Sequence, residues 1–289
     1  MKPRTLAEAL ARLAADPALI PIAGGTDVMV LIGLGALRQG HLLDLWGLDE
    51  LRGVAVSARE TVLGALTTYT ALATHPEVAG LYPLLAAAAR VSGAWAIQNR
   101  GTLAGNIANA SPAADSPPAL LAYGARLELS SVRGTRWVEY SGFHTGYKQT
   151  VRAADELITR IALPMAPAGA AHFYRKVGAR KAQAISKVAL AAVAGRRDGG
   201  LTDVRIAVGS VAPTVVSAVR TASWLDGQEP ARVDRAAARG LLESEIAPID
   251  DLRSTERYRR RVAGNLLEQF LDHAAEEVPT EGAPSRGAP

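Results

Sequence analysis

The stretch Gln98-Asn99-Arg100-Gly101-Thr102-Leu103-Ala104-Gly105-Asn106-Ile107-Ala108-Asn109-Ala110-Ser111-Pro112-Ala113-Ala114-Asp115-Ser116-Pro117-Pro118 decides how the rest of the chain is read. It is polar, rich in Gly, Asn, Ser and Pro, and sits between two apolar segments. A polar loop this long inside a compact domain is usually functional. Thr102 and Asn106 can hydrogen-bond a pyrophosphate or a ribityl chain, and Gly105 lets the backbone approach a ligand closely. Asp115, nine positions after Asn106, is an acceptor suited to sugar hydroxyls or an adenine amino group.

Working outward toward the N-terminus, a second glycine-bearing loop follows a short buried strand, Leu19 to Ile22. It reads Pro21-Ile22-Ala23-Gly24-Gly25-Thr26-Asp27-Val28. Paired glycines allow a tight turn and present several N–H groups to an anion. Taken alone, the motif reads as a plain turn. Two such loops in one domain are what a long, bent dinucleotide needs, with backbone amides on its pyrophosphate from both sides.

Composition narrows the classes. The 289 residues suggest about two domains at roughly 150 residues each. With 48% hydrophobic and 21% charged residues the chain is an ordinary globular one, neither disordered nor fibrous. There are no cysteines, which excludes disulfides, thiolate nucleophiles and iron–sulfur ligation on this chain and fits a reducing compartment. A net charge of +4, mixed along the chain, does not argue for nucleic acid. The basic N-terminus is followed by Glu8, Arg12 and Asp16, so it lacks the apolar core of a signal peptide, and the Val28 to Leu37 run is too short to span a bilayer. A cytoplasmic protein is expected. The five histidines are scattered and read as ordinary rather than zinc-binding. No Gly-x-Ser-x-Gly elbow or Gly-x-x-x-x-Gly-Lys-Ser/Thr loop is present, and Gly33-x-Gly35 lacks the third glycine of a dinucleotide fingerprint.

The coarse pattern alternates helices and strands. Thr5 to Ala15 reads as a helix with a Thr5/Glu8 capping box, stopped by Asp16-Pro17. Strands are expected at 41–45, 54–56 and 61–66, then a helix from 67 to 74 capped by Thr67 or Thr68 and an Ala/Leu helix over 81–91. After the long loop, Ala119 to Tyr123 forms a helical turn, and 126–130, 136–138 and 156–163 read as strands. Beyond a linker at 165–169 come strands at 171–176, 189–196 and 204–208, the last two joined by an Asp198-Gly199-Gly200 turn. An apolar stripe of Val262, Leu266, Leu267, Phe270 and Leu271 marks a final helix from Tyr258 to Ala275. The Pro/Gly/Ala-rich end, 276–289, is expected to be a disordered tail.

These blocks, in this order, resemble the FAD-binding medium subunit of molybdenum hydroxylases, the xanthine dehydrogenase and carbon monoxide dehydrogenase flavoprotein family. The likeness rests on Ala23-Gly24-Gly25-Thr26-Asp27 and above all on the Gln98 to Asp115 block. Gly146-Tyr147-Lys148-Gln149-Thr150, Asp155-Glu156-Leu157-Ile158, Lys176-Val177-x-x-Arg180-Lys181, Ala184-Ile185-Ser186-Lys187-Val188 and Pro248-Ile249-Asp250-Asp251-x-Arg253 extend it to about Asp272. The resemblance implies an α+β fold. A two-lobed FAD-binding domain (residues 1–168, two α/β lobes) would precede a small C-terminal domain (169–275) with a three-stranded antiparallel sheet and helices. It implies FAD held by Pro21, Ile22, Ala23, Gly24, Gly25, Thr26, Asp27 and Val28 on one wall. Thr102, Leu103, Ala104, Gly105 and Asn106 would form the other, with Asp115 on the ribityl or adenosine part, Ile158 near the flavin ring and Lys176 as a polar partner. Ala104 stands where the family commonly has glycine, which requires a negative φ there. No catalytic acid–base residue is implied. Partner subunits would carry the molybdopterin and two [2Fe–2S] clusters, in a dimer of heterotrimers by family analogy. The absence of cysteine disfavours the 4-hydroxybenzoyl-CoA reductase branch, whose flavin subunit binds an extra cluster. Two other readings stay open: a free-standing flavin oxidase or reductase of the same fold, and a flavin-free scaffold.

Overall fold

The computed structural model describes residues 1–37, 41–181 and 183–276. The chain opens with α1 (Leu6–Ala15), β1 (Ile20–Ile22), α2 (Val28–Gly33) and β2 (Leu42–Asp44). Thr5 caps α1 by accepting from the Glu8 N–H, and Ala9, Leu10 and Leu13 bury one face of that helix. β1 and β2 pair in parallel, Ile20 beside Leu42 and Ile22 beside Asp44. The glycine pair therefore leaves the end of a paired strand and runs into a helix, Val28–Gly33, where the sequence suggested only an apolar run.

A second layer contains β3 (Val54–Val56), β4 (Glu60–Gly64), α3 (Tyr69–Thr74), α4 (Pro76–Leu81), α5 (Pro83–Val91), α6 (Trp95–Gln98), α7 (Leu103–Asn109) and α8 (Ser116–Ala122). It continues with β5 (Arg126–Ser131), β6 (Gly134–Glu139), β7 (His144–Gly146), β8 (Gln149–Thr150) and β9 (Leu157–Pro164). Five of these strands form one sheet in the order β3-β4-β9-β5-β6, every pair antiparallel. Thr68 is the cap of α3, accepting from the Ala71 N–H; the Thr67 hydroxyl instead donates to the Gly64 carbonyl.

The polar block is not one loop. Leu103–Asn109 is helical, and α8 begins at Ser116, earlier than the helical turn expected at Ala119. Gly105, Asn106 and Asn109 are poor helix formers, but Thr102 caps the helix through the Gly105 N–H and Leu103 and Ile107 are fully buried. Apolar burial on one face overrides weak propensity in so short an element.

The C-terminal part holds β10 (Ala171–Val177), β11 (Val188–Arg197), β12 (Gly200–Gly209), β13 (Val216–Ser217), α9 (Val219–Leu225), α10 (Arg235–Glu245) and α11 (Glu256–Glu276). Its sheet is antiparallel in the order β10-β11-β12-β13: the three expected long strands plus a two-residue fourth. β11 is buried on both faces. Ala191 and Val193 point into the core of the preceding layers, while Leu190, Ala192 and Ala194 pack with Leu266, Leu267 and Phe270 of α11. A strand covered on both sides reads as a continuous apolar run, and its alanines let both layers approach. Of the expected tail, Glu276 still belongs to α11 and residues 277–289 lie outside the described residues. Among the described residues no helix is long and apolar enough to cross a membrane.

Candidate functional site

The glycine loop after β1 faces α7 and the start of β9 across a cavity of about 440 Å3, within the rough 300–1,000 Å3 range of small-molecule sites. Of the residues singled out from the sequence, Pro21, Ala23, Gly24, Gly25, Thr26, Asp27, Val28, Thr102, Ala104, Gly105, Asn106, Asp115 and Ile158 line it. Ile22, Leu103 and Lys176 do not. Ile22 packs beneath the loop, its Cδ1 3.4 Å from where a side chain on Gly25 would begin. Leu103 is in the core.

The two glycines are required for different reasons. Gly25 adopts φ +81°, a left-handed conformation that L side chains rarely take. Gly24 lies against the chain entering α7: a Cβ there would stand 1.7 Å from the Arg100 carbonyl oxygen. Arg100 also donates from Nε to the Gly24 carbonyl at 3.4 Å, while its guanidinium stacks 3.8 Å above the Trp46 ring. The loop is thus pressed onto the second wall by backbone contact. Among the described residues, no backbone or side-chain group accepts from the N–H groups of Gly24, Gly25, Thr26, Asp27 or Val28. Unspent N–H donors lining a cavity call for an acceptor.

The second wall differs from the expectation of matching free amides. The Leu103 N–H donates to the Thr67 carbonyl and that of Ala104 to Ala65. The Gly105 N–H is taken by the Thr102 hydroxyl and the Asn106 N–H by the Thr102 carbonyl. What remains is the Asn106 side chain. Its Oδ1 accepts from Ser116 Oγ at 2.5 Å, so its amide NH2 is left to donate. Ala104 lies inside α7 with an ordinary negative φ, so its methyl is tolerated in place of glycine.

Lys176 acts through Asp115 rather than at the cavity. Its Nζ donates to Asp115 Oδ2 at 2.6 Å and to the Val91 carbonyl at 3.0 Å. Ser186 donates to the other Asp115 oxygen at 2.7 Å. Both charged side chains are nearly buried, 9% and 12% exposed. Burial raises the Asp115 carboxyl above its ordinary value, against the pull of the Lys176 ammonium. His75 caps α4 through the Val78 N–H, and His144 lies against the Ile107 carbonyl, where burial favours the neutral ring.

Several lining residues were not singled out. Tyr69, Ala65 and Leu66 come from the β4–α3 connection, and Ser92 and Gly93 follow α5. Arg152 and Glu156 precede β9 and also line the cavity; Arg152 Nη1 donates to the Glu156 and Ala153 carbonyls at 2.6 and 3.0 Å. Gly101, Ala108, Asn109 and Ala114, also lining residues, lie within the Gln98 to Pro118 block, and Glu156 and Leu157 within the Asp155 to Ile158 block.

The arrangement is a cleft between two lobes, with anion-seeking amides on one side and polar side chains on the other. Comparison with known proteins agrees. Residues 1–166 match the FAD binding domain in molybdopterin dehydrogenase, and residues 172–274 match the CO dehydrogenase flavoprotein C-terminal domain. The chain is 32% identical to the xanthine dehydrogenase FAD-binding subunit of Escherichia coli O157:H7, covering 93% of each. It is 30% identical to the carbon monoxide dehydrogenase medium chain of Hydrogenophaga pseudoflava, over 94% of this chain and 95% of the relative. A solved structure of the carbon monoxide dehydrogenase from that organism, which lacks the Mo-pyranopterin moiety of the molybdenum cofactor, superposes with a TM-score of 0.91 at 29% identity, covering 96% of both chains. The chain therefore belongs to the family of FAD-binding subunits of xanthine and CO dehydrogenase-type molybdenum hydroxylases. It is an oxidoreductase subunit, and FAD is its cofactor.

Proposed function

We propose that this chain is the electron-transfer subunit of a heteromeric molybdenum hydroxylase. The observation that carries this reading is the pairing of unspent loop amides at Gly24 to Val28 with Asn106 and Asp115 in one cavity. In this reading the loop amides and the Asn106 NH2 donate to the pyrophosphate oxygens, since hydrogen bonds to charged acceptors are the strong ones. Asp115, held by Lys176 and Ser186, accepts from hydroxyls of the ribityl or adenosine part. Leu157 and Ile158 give the ring system an apolar wall. FAD, when bound, would supply the redox chemistry between [2Fe–2S] clusters on a partner and NAD+, oxygen or another acceptor. The chain's own contribution is position and electrostatics, so no acid–base residue is assigned.

The partners in this proposal are a small iron–sulfur subunit and a large molybdopterin subunit, assembled as a dimer of heterotrimers in the cytoplasm. The absence of cysteine supports clusters held elsewhere. We also place the domain boundary at residues 168 and 169, because one hydrophobic cluster draws chiefly on the chain before it and the other starts at Ala171.

The test is expression of the full chain alone and beside its candidate partners. The isolated chain should take up FAD and show flavin absorption bands without oxidising a substrate of its own. With partners present, it should co-purify with iron and molybdenum. Failure to bind FAD would leave a flavin-free scaffold, and turnover by the isolated chain would make it a free-standing oxidase or reductase.

A further inference from the structure

The hairpin of β7 and β8 plays no part in the walls described above, yet its tip touches a residue that lines the cavity. Lys148 sits in that tip with φ +58°, a left-handed conformation uncommon outside glycine. Such a backbone persists where surrounding contacts hold it. Lys148 Nζ donates to Asn109 Oδ1 at 2.6 Å, and Asn109 Nδ2 donates to Asp27 Oδ1 at 2.8 Å. Asn109 and Asp27 both line the cavity.

The order of donors is forced by chemistry. An ammonium only donates and a carboxylate only accepts, so an amide held between them has one orientation: oxygen to Lys148, NH2 to Asp27. Asp27 stands at the N-cap position of α2 but makes no side-chain cap hydrogen bond, so its carboxylate is not spent on its own helix. Its second oxygen, Oδ2, has no donor among the described residues.

We propose that Lys148, Asn109 and Asp27 form a positioning relay in which the hairpin amine sets the Asn109 amide. That amide holds one oxygen of Asp27 and leaves the other as an acceptor for a hydroxyl or N–H of the bound dinucleotide. The relay joins three segments far apart in the chain: the glycine loop, the end of α7 and the hairpin. It rests on the flavin reading above and adds a residue outside the two walls. Lys148 is a positioning residue, since it reaches the cofactor only through Asn109 and Asp27. Charge supports the geometry: burial raises the Asp27 carboxyl and the Lys148 ammonium opposes that rise.

The test is FAD affinity of the full chain, stripped of flavin and titrated with FAD, for wild type, Lys148→Met, Lys148→Arg, Asp27→Asn and the Lys148→Met/Asp27→Asn double variant. The net worth of one ordinary hydrogen bond, felt through Asn109, predicts a loss of about fivefold to tenfold for Lys148→Met. Lys148→Arg should recover most of it, because the guanidinium keeps a donor on Asn109. In the Asp27→Asn background, Lys148→Met should have little further effect, because the coupled step is already lost. The relay is overturned if Lys148→Met binds FAD as wild type does, or if its loss is undiminished in the Asp27→Asn background. Should Lys148→Met not fold, Asp27→Asn decides: affinity equal to wild type refutes the relay. A wild-type chain that takes up no FAD would sink the flavin reading, and this inference with it.

Discussion

Gly24→Ala isolates the contact that brings the two walls together. The new methyl would stand 1.7 Å from the Arg100 carbonyl oxygen, where 3.0 Å is the practical floor for a Cβ. The neighbour is backbone, so no side chain can swing aside. The loop and the chain entering α7 must part by about 1.3 Å or distort. Overpacking of this kind costs about 2 kcal/mol, which for a chain of this length lowers Tm by about 4–8 °C. Cofactor affinity should fall further. If two loop amides lose their place on a charged acceptor at about 1.5 kcal/mol each, binding weakens about a hundredfold. Gly33→Ala is the control. It is exposed on α2 with nothing within 4 Å of the added methyl, and it should gain roughly 0.5–1 kcal/mol from better helix propensity. The assay is flavin absorbance per chain after reconstitution and dialysis, with thermal melts of the stripped proteins. A Gly24→Ala chain that keeps full flavin and an unchanged Tm would show that the walls are not held together by this contact.

Lys176→Met leaves the Asp115 carboxylate nearly buried with neutral hydroxyl partners alone, and breaking such a pair should cost about 3 kcal/mol. Thermal melts check this, and the Lys176→Met/Asp115→Asn double variant should be more stable than Lys176→Met alone. Asp251 tests acid stability. Burial would raise its carboxyl, but the Arg253 and Ser254 N–H groups and the Arg259 guanidinium outweigh that and bring it down to about 2. A depressed carboxylate contributes stability above its ordinary value and loses it as pH falls, so the window runs from about pH 4 down to 2. With the side chain a quarter exposed, the contribution is on the order of 1 kcal/mol. Acid unfolding followed by circular dichroism should show a shallower fall for Asp251→Asn across that window.

Many of the strands, with the helices α1 and α11, were the legible part of the fold. β5, β9, β10 and β11 fall where apolar runs and turn residues put them, because burial against a sheet leaves a strong mark on composition. α7 and α2 were hidden for opposite reasons. α7 carries Gly105, Asn106 and Asn109, which mimic a loop, and its helix is held by Thr102 and by the burial of Leu103 and Ile107. α2 exposes Met29, Val30 and Leu31, so no polar face betrayed its period.

At the site, the residues found from sequence cluster in two blocks, and the cavity adds Tyr69, Ser92 and Arg152 from connections with no motif of their own. Nothing local marks such residues, because only the tertiary path of the chain brings them to the cavity. The expectation of amides on both walls was also wrong in an informative way. A helix can present an N–H to a ligand only if its own capping does not consume it, and Thr102 consumes two of those on α7. The glycine loop, with φ +81° at Gly25, has no such internal sink. The two walls therefore divide the work: the loop supplies backbone donors that bring no side-chain specificity, while α7 and its neighbours supply side chains whose orientation must be enforced. That division explains why Asn106 is tied to Ser116, Asp115 to Lys176 and Asn109 to Lys148. Each of these three side chains has a partner behind it because, unlike an amide in a rigid turn, it would otherwise be free to turn away.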